Sequence, residues 1–179
     1  ILNLGDGTGI KSNTSYLYQA VGIKANFGLN STDEYIGFIN GLSGQRTLIS
    51  DSEPGNVNDL YLVDSINGTD FEYALLPKVA GQNWHGDFHI YELRWQSGLS
   101  KALVDHGASG GSSTHPEWVP GISIPVTLYN DTLSTGSLLV DWIYVRQYRD
   151  PEPTVSVKGE QGLVELSLGI TDNPDPVRR

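Results

Sequence analysis

No window of roughly eleven residues or more repeats apolar side chains at helical spacing, and Gly, Pro, Asn and Asp punctuate the chain at short intervals. A sequence of this kind buries its apolar residues by folding short strands against one another in a sandwich or barrel. Its longest strand runs through Gly136-Ser137-Leu138-Leu139-Val140-Asp141-Trp142-Ile143-Tyr144-Val145-Arg146-Gln147-Tyr148, and Pro151-Glu152-Pro153 marks the end of the packed body. Alternation sets Leu139, Asp141, Ile143 and Val145 on one face and Val140, Trp142, Tyr144 and Arg146 on the other. Neither face is plainly solvent, as expected of a strand inside a two-layer sandwich.

The remaining strands follow the same period. Tyr16 to Phe27 alternates, with Val21, Ile23, Ala25 and Phe27 toward the core; Tyr35 to Ile39 and Thr47 to Ile49 follow. Leu60 to Val63 and Phe71 to Leu76 flank Asn67-Gly68 as a hairpin. Asp87 to Trp95 pairs with Ala102 to Asp105 across Ser97-Gly98. Gly5 to Gly9 reads as a turn, Gly107 to Pro116 as a flexible loop, and Ile122 to Leu128 as a strand carrying Pro125 at an edge or bulge. Thr154 to Val157 and Leu163 to Leu168 add two strands beyond the proline break. The organisation is thus one body, residues 1–149, and a strand-forming tail, residues 150–179.

With 11 Lys and Arg against 21 Asp and Glu, the net charge is −10, which repels phosphate backbones; nucleic acid is excluded as a partner class. Cysteine is absent, so neither a disulfide framework nor a thiolate metal site is available. Methionine is absent too and the chain opens on Ile1, which reads as a processed or excised piece. No apolar run approaches the ~20 residues of a membrane span. Asn13, Asn30, Asn67 and Asn130 each open an Asn-x-Ser/Thr glycosylation triplet at an expected turn, which points to secretion, although a chain rich in Asn, Ser and Thr also yields such triplets by chance.

Two segments carry a resemblance. Phe88-His89-Ile90-Tyr91-Glu92-Leu93-Arg94-Trp95 and Val140-Asp141-Trp142-Ile143-Tyr144-Val145-Arg146 resemble the Phe-His-x-Tyr-x-x-x-Trp strand and the closing Val-Asp-aromatic-Val-x-Val strand of the concanavalin-A-like jelly roll, the fold of legume lectins, pentraxin-type modules and laminarinase-type glucanases. The exit Asp150-Pro151-Glu152-Pro153-Thr154-Val155-Ser156-Val157 is similar to that of modules repeated in archaeal and bacterial surface proteins. The resemblance covers residues 1–158 and implies an all-β, two-sheet antiparallel jelly-roll sandwich with a C-terminal extended tail. It also implies a calcium ion held by Asp141, the counterpart of the glucanase ligand; the alternative is that Asp141 accepts hydrogen bonds from the backbone or from Arg.

The glucanase Glu-x-Asp-x-x-Glu motif is missing. In the matching strand, Asn58 to Asp64, the carboxylates Asp59 and Asp64 are an odd number of residues apart and point to opposite faces. The best same-face acid pair, Asp70 and Glu72, abuts a turn and reads as a solvated strand end. His85, Asp87 and His89 alternate with ligand types that suit zinc, though the adjoining Gly86 favours a turn. Trp84, Trp118, Tyr129 and Tyr144 are the candidates for stacking on a sugar, while Trp95 and Trp142 are assigned to the core. The expected function is a non-catalytic extracellular or cell-surface module for adhesion or for binding polysaccharide or a surface glycoprotein. The alternative is a self-assembling subunit of a filament or surface layer, residues 154–168 adding as a strand to a neighbouring copy.

Overall fold

The computed structural model describes residues 1–5, 7–28, 33–41, 44–51, 59–68, 71–78, 80–131, 136–149, 156–160 and 163–167, the last two segments and residue 71 by backbone alone. The chain divides into two compact units, Ile1–Tyr148 and Arg149–Arg179. The first contains β1 (Leu2–Leu4), β2 (Thr8–Tyr16), β3 (Gln19–Asn26), β4 (Glu34–Ile39), β5 (Arg46–Ser50), β6 (Leu60–Ser65), β7 (Phe71–Leu76), β8 (His89–Gln96), β9 (Leu99–Val104), β10 (Ser109–Ser112), β11 (Ile124–Asn130) and β12 (Leu138–Gln147). In the second, β13 (Ser156–Glu160) and β14 (Leu163–Ser167) pair with each other as an antiparallel hairpin. No helix among the described residues is long and apolar enough to cross a membrane.

The first unit is a two-sheet antiparallel jelly-roll sandwich. One sheet has the order β1-β12-β3-β8-β9-β10, the other β2-β11-β4-β5-β6-β7. Between them lie Val21, Ile23, Ala25 and Phe27 from the first sheet and Ile36, Phe38, Ile49, Leu60 and Leu62 from the second, with Trp84 and Trp95 fully enclosed. The indoles are kept dry without loss of a hydrogen bond, since Trp84 Nε1 donates to the Leu76 carbonyl (3.3 Å) and Trp95 Nε1 to that of Pro120 (3.0 Å). Phe27 meets Tyr91 edge-to-face at 5.3 Å.

Two strands stand where the sequence reads otherwise. β2 begins at Thr8, inside the expected turn and upstream of the strand placed at Tyr16; its segment Lys11-Ser12-Asn13-Thr14-Ser15 is polar because β2 is a sheet edge with most side chains in solvent. β10 occupies the expected flexible loop. Its Gly110 lies so close to β9 that a Cβ there would stand 2.7 Å from the Ala102 carbonyl, so glycine here serves a close approach of backbones and not a linker.

The interior also carries acid. Register aligns Thr47, Asp64 and Glu72 across β5, β6 and β7 on the core side. Asp64 accepts a short hydrogen bond from the Ser100 hydroxyl of β9, and Glu72 accepts from the Thr114 amide (2.8 Å), the Thr114 hydroxyl and the His115 amide (3.1 Å). Glu72 is therefore a buried clamp, not the solvated strand end expected from sequence; its suggested partner Asp70 lies outside the described residues.

Candidate functional site: an exposed aromatic pair on β12

A single extra residue decides which side chains β12 presents. Val140 stands opposite Ala25 and Trp142 opposite Lys24, so Asp141 is a β-bulge without a partner residue on β3. Before the bulge Leu138 and Val140 face the core. Beyond it the alternation is reset: Ile143 and Val145 turn inward, and Trp142, Tyr144 and Arg146 turn out over Lys24, Gly22 and Ala20. Trp142, assigned to the core by strict alternation, is 37% exposed, and Tyr144 is 44% exposed.

The two rings lie near-parallel, 22° apart with centroids at 5.6 Å. Tyr144 lies flat because its cross-strand neighbour is Gly22, where a Cβ would collide with the ring. Charged groups frame the pair on both sides. Lys24 Nζ donates to Asp141 at 2.8 Å and stands 5.7 Å over the Phe88 ring. At the other end Glu92 accepts from Arg94 Nε (3.1 Å) and, through a short contact, from Arg146. Burial pushes the Glu92 carboxyl up, but the hydrogen bonds and charges of Arg94 and Arg146 outweigh it and hold the group below the usual carboxylate range. The hydrogen bond from Lys24 likewise holds Asp141 down. The result is a flat apolar surface on a rigid strand, rimmed by donors and acceptors; its two carboxylates are engaged as ion-pair partners and do not face one another across a cleft.

The four aromatic candidates do not meet. Tyr144 belongs to this pair. Trp84 is wholly enclosed and corrects the expectation of an exposed ring: the turn that carries it folds inward, placing the indole edge-on to His89 at 5.2 Å. Trp118 is half-buried and stacks on His115 (3.9 Å, 24°) away from β12 in the sequence. Tyr129 lies on the outward side of the second sheet, stacked on Tyr35 at 6.3 Å in a cluster with Tyr61 and Tyr73 over Leu48 and Val63. That cluster is packed hydrocarbon, with Leu48 and Val63 at most 2% exposed. The sign that Trp142 belongs with Tyr144 was Asp141 itself, a carboxylate inside an otherwise apolar and aromatic run.

The metal expectations meet different fates in the geometry. His85 is buried beside Asp51 (3.5 Å), His89 is held between Asp105 (2.7 Å) and the Asn83 carbonyl (2.9 Å), and Asp87 is exposed, so the three do not converge as zinc ligands. Among the described residues no group of three His, Asp or Glu is arranged for a metal. Asp141, the expected calcium ligand, is exposed, and its carboxylate is bound to the Lys24 ammonium. Of the glycosylation triplets, Asn13 and Asn67 are exposed and Asn30 lies outside the described residues. Asn130 is excluded as an acceptor, because it is buried and its amide donates to the carbonyls of Leu4 (2.9 Å) and Gly136 (3.1 Å).

No family model and no curated protein matches the sequence. Solved structures match the fold. Congerin II liganded with lactose and MES superposes with a TM-score of 0.55 at 10% identity, covering 79% of this chain and 100% of its own. A toad ovary galectin in complex with thio-digalactose gives 0.53 at 13% identity, covering 79% and 99%, and a tetrameric galectin from the ball sponge Cinachyrella gives 0.53 at 9%, with the same coverage. At these identities the likeness is one of architecture, a concanavalin-A-like sandwich.

Proposed function

We propose that the first unit is a non-catalytic carbohydrate-binding module, displayed at the cell surface or outside the cell, that grips a polysaccharide or a surface glycoprotein by stacking sugar rings on Trp142 and Tyr144. The observation that carries this reading is the exposed, near-parallel aromatic pair, with Tyr144 laid over Gly22. A sugar offers an apolar C–H face to such rings and hydroxyls to the rim, where Asp141, Glu92 and Arg146 supply acceptors and donors. The galectin structures solved with lactose and thio-digalactose support the choice of ligand class, and the resemblance to surface-protein modules supports the location.

Calorimetric titration with a polysaccharide panel provides the test, because its signal does not depend on the tryptophan that one of the variants removes. Trp142→Ala and Tyr144→Ala should each weaken binding about tenfold, the size of a modest hot spot, while leaving the melting temperature nearly unchanged. Unaltered affinity in both variants would remove the pair from the binding role.

A second reading is self-assembly, in which the tail of one copy adds as a strand to another. It is favoured by the edge of β12, which β1 covers only from Leu138 to Val140.

A further inference from the structure

Beyond Val140, no strand among the described residues pairs with the outer edge of β12, so the main chain from Asp141 to Gln147 forms an open sheet margin. The opposing edge of the sandwich is β2. Between the two margins lies a groove of about 430 Å³, and its walls include Ile10, Tyr16, Val126, Leu128, Ile143 and Val145. Ile143 points toward the space between the sheets yet remains 39% exposed, and Ile10 is 43% exposed. Inward-facing apolar side chains in contact with water are what a sandwich shows where one strand is lacking, and the open strand edge beside them is where an added strand would form its hydrogen bonds.

We propose that this groove is the acceptor for strand addition, and that its occupant is the segment from Leu163 to Ile170 of a second copy of this chain, laid antiparallel to β12. The inference rests on the self-assembly reading and names its site. The segment runs Leu163-Val164-Glu165-Leu166-Ser167-Leu168-Gly169-Ile170, so Val164, Leu166, Leu168 and Ile170 fall on one side of an extended strand. Their alternation matches the wall of the groove, and Glu165 and Ser167 fall on the opposite, solvent side. Residues 163–167 already have strand conformation as β14, so the backbone cost of ordering is partly met before docking. Among the described residues their strand partner is β13, and a two-stranded hairpin is marginal in water. The open margin of β12 spans seven residues, one fewer than the eight-residue segment offered to it.

Light scattering of the 179-residue chain over about a hundredfold range of concentration tests the proposal. The expected result is a concentration-dependent rise above 19.5 kDa, with the dissociation constant raised at least about tenfold by Leu166→Lys in the donor and by Ile143→Lys in the acceptor. A synthetic peptide of residues 162–171 added to the Leu166→Lys chain should slow amide exchange in 141–147 at least about tenfold. Association that neither substitution weakens, with exchange in 141–147 unaltered, would leave self-assembly standing and overturn this groove as its site. A monomer at every concentration would overturn both.

Discussion

Asp64 shows what one buried carboxyl does to the stability of this fold. Burial pushes it up from 3.8 to about 6; the hydrogen bond from Ser100 opposes the rise and the nearby charge of Glu72 adds to it. An acid whose folded value exceeds its unfolded one holds its proton more tightly in the native state. Its contribution to stability is therefore largest below pH 3.8 and is lost as pH rises through about 6. At about 1.4 kcal/mol per unit the shift is worth on the order of 3 kcal/mol. Asp64→Asn keeps the shape and removes the charge. Denaturant titrations of the two proteins from pH 4 to pH 8 should show the native chain losing up to about 3 kcal/mol relative to the variant. Parallel pH profiles would mean that Asp64 titrates normally.

At the scale of an element, β12 shows how a strand can be read correctly in extent and incorrectly in face. Its composition made it the dominant strand, and it does lie within the first sheet. Alternation then failed at Asp141, because a bulge adds one residue to one strand only and period-2 counting has no place for it. β8 has no such insertion, and there Tyr91, Leu93 and Trp95 are buried while Ile90, Glu92 and Arg94 face outward, as alternation predicts. β2 and β10 were hidden for a different reason: an edge strand can be polar and a close-packed one can be Gly-Ser-rich, and each resembles a loop in composition. The site was half legible, since Tyr144 was named for its exposure, whereas Trp142 could be placed beside it only once the bulge was known. The bulge can itself be tested. Deleting Asp141 should leave Val140 inward and Trp142 outward, because these two already occupy successive pairing positions on β3. The loss of stability should be small, because the Lys24 ion pair that is removed is exposed. Trp142 should remain as accessible to acrylamide quenching as before; a gain in accessibility on deletion would mean that strict alternation had been right for the native chain.

The first unit, taken as a whole, is closed along one side and open along the other among its described residues. On the closed side the edge strands β7 and β10 are stitched together. Glu72 receives the Thr114 and His115 amides, Ser109 donates a short hydrogen bond to the Pro77 carbonyl, and Leu76 Cδ2 lies 3.1 Å from where a Gly111 Cβ would stand. On the open side β2 and β12 leave a groove, and β12 also carries the aromatic pair, so the open margin and the proposed sugar surface share one strand. The buried clamp and the proposed sugar surface thus lie at opposite edges of the sandwich. Glu72→Ala removes a buried acceptor and strands the Thr114 and His115 amides, at about 1–3 kcal/mol for each donor left unsatisfied. The variant should lose about 3 kcal/mol of unfolding free energy, and exchange at residues 113–115 should quicken, while affinity for a polysaccharide that binds Trp142 should change less than about twofold. Denaturant unfolding and fluorescence titration of the same preparation measure both. If affinity fell in step with stability, the two edges would be coupled, and the separation of the clamp from the binding surface would be lost.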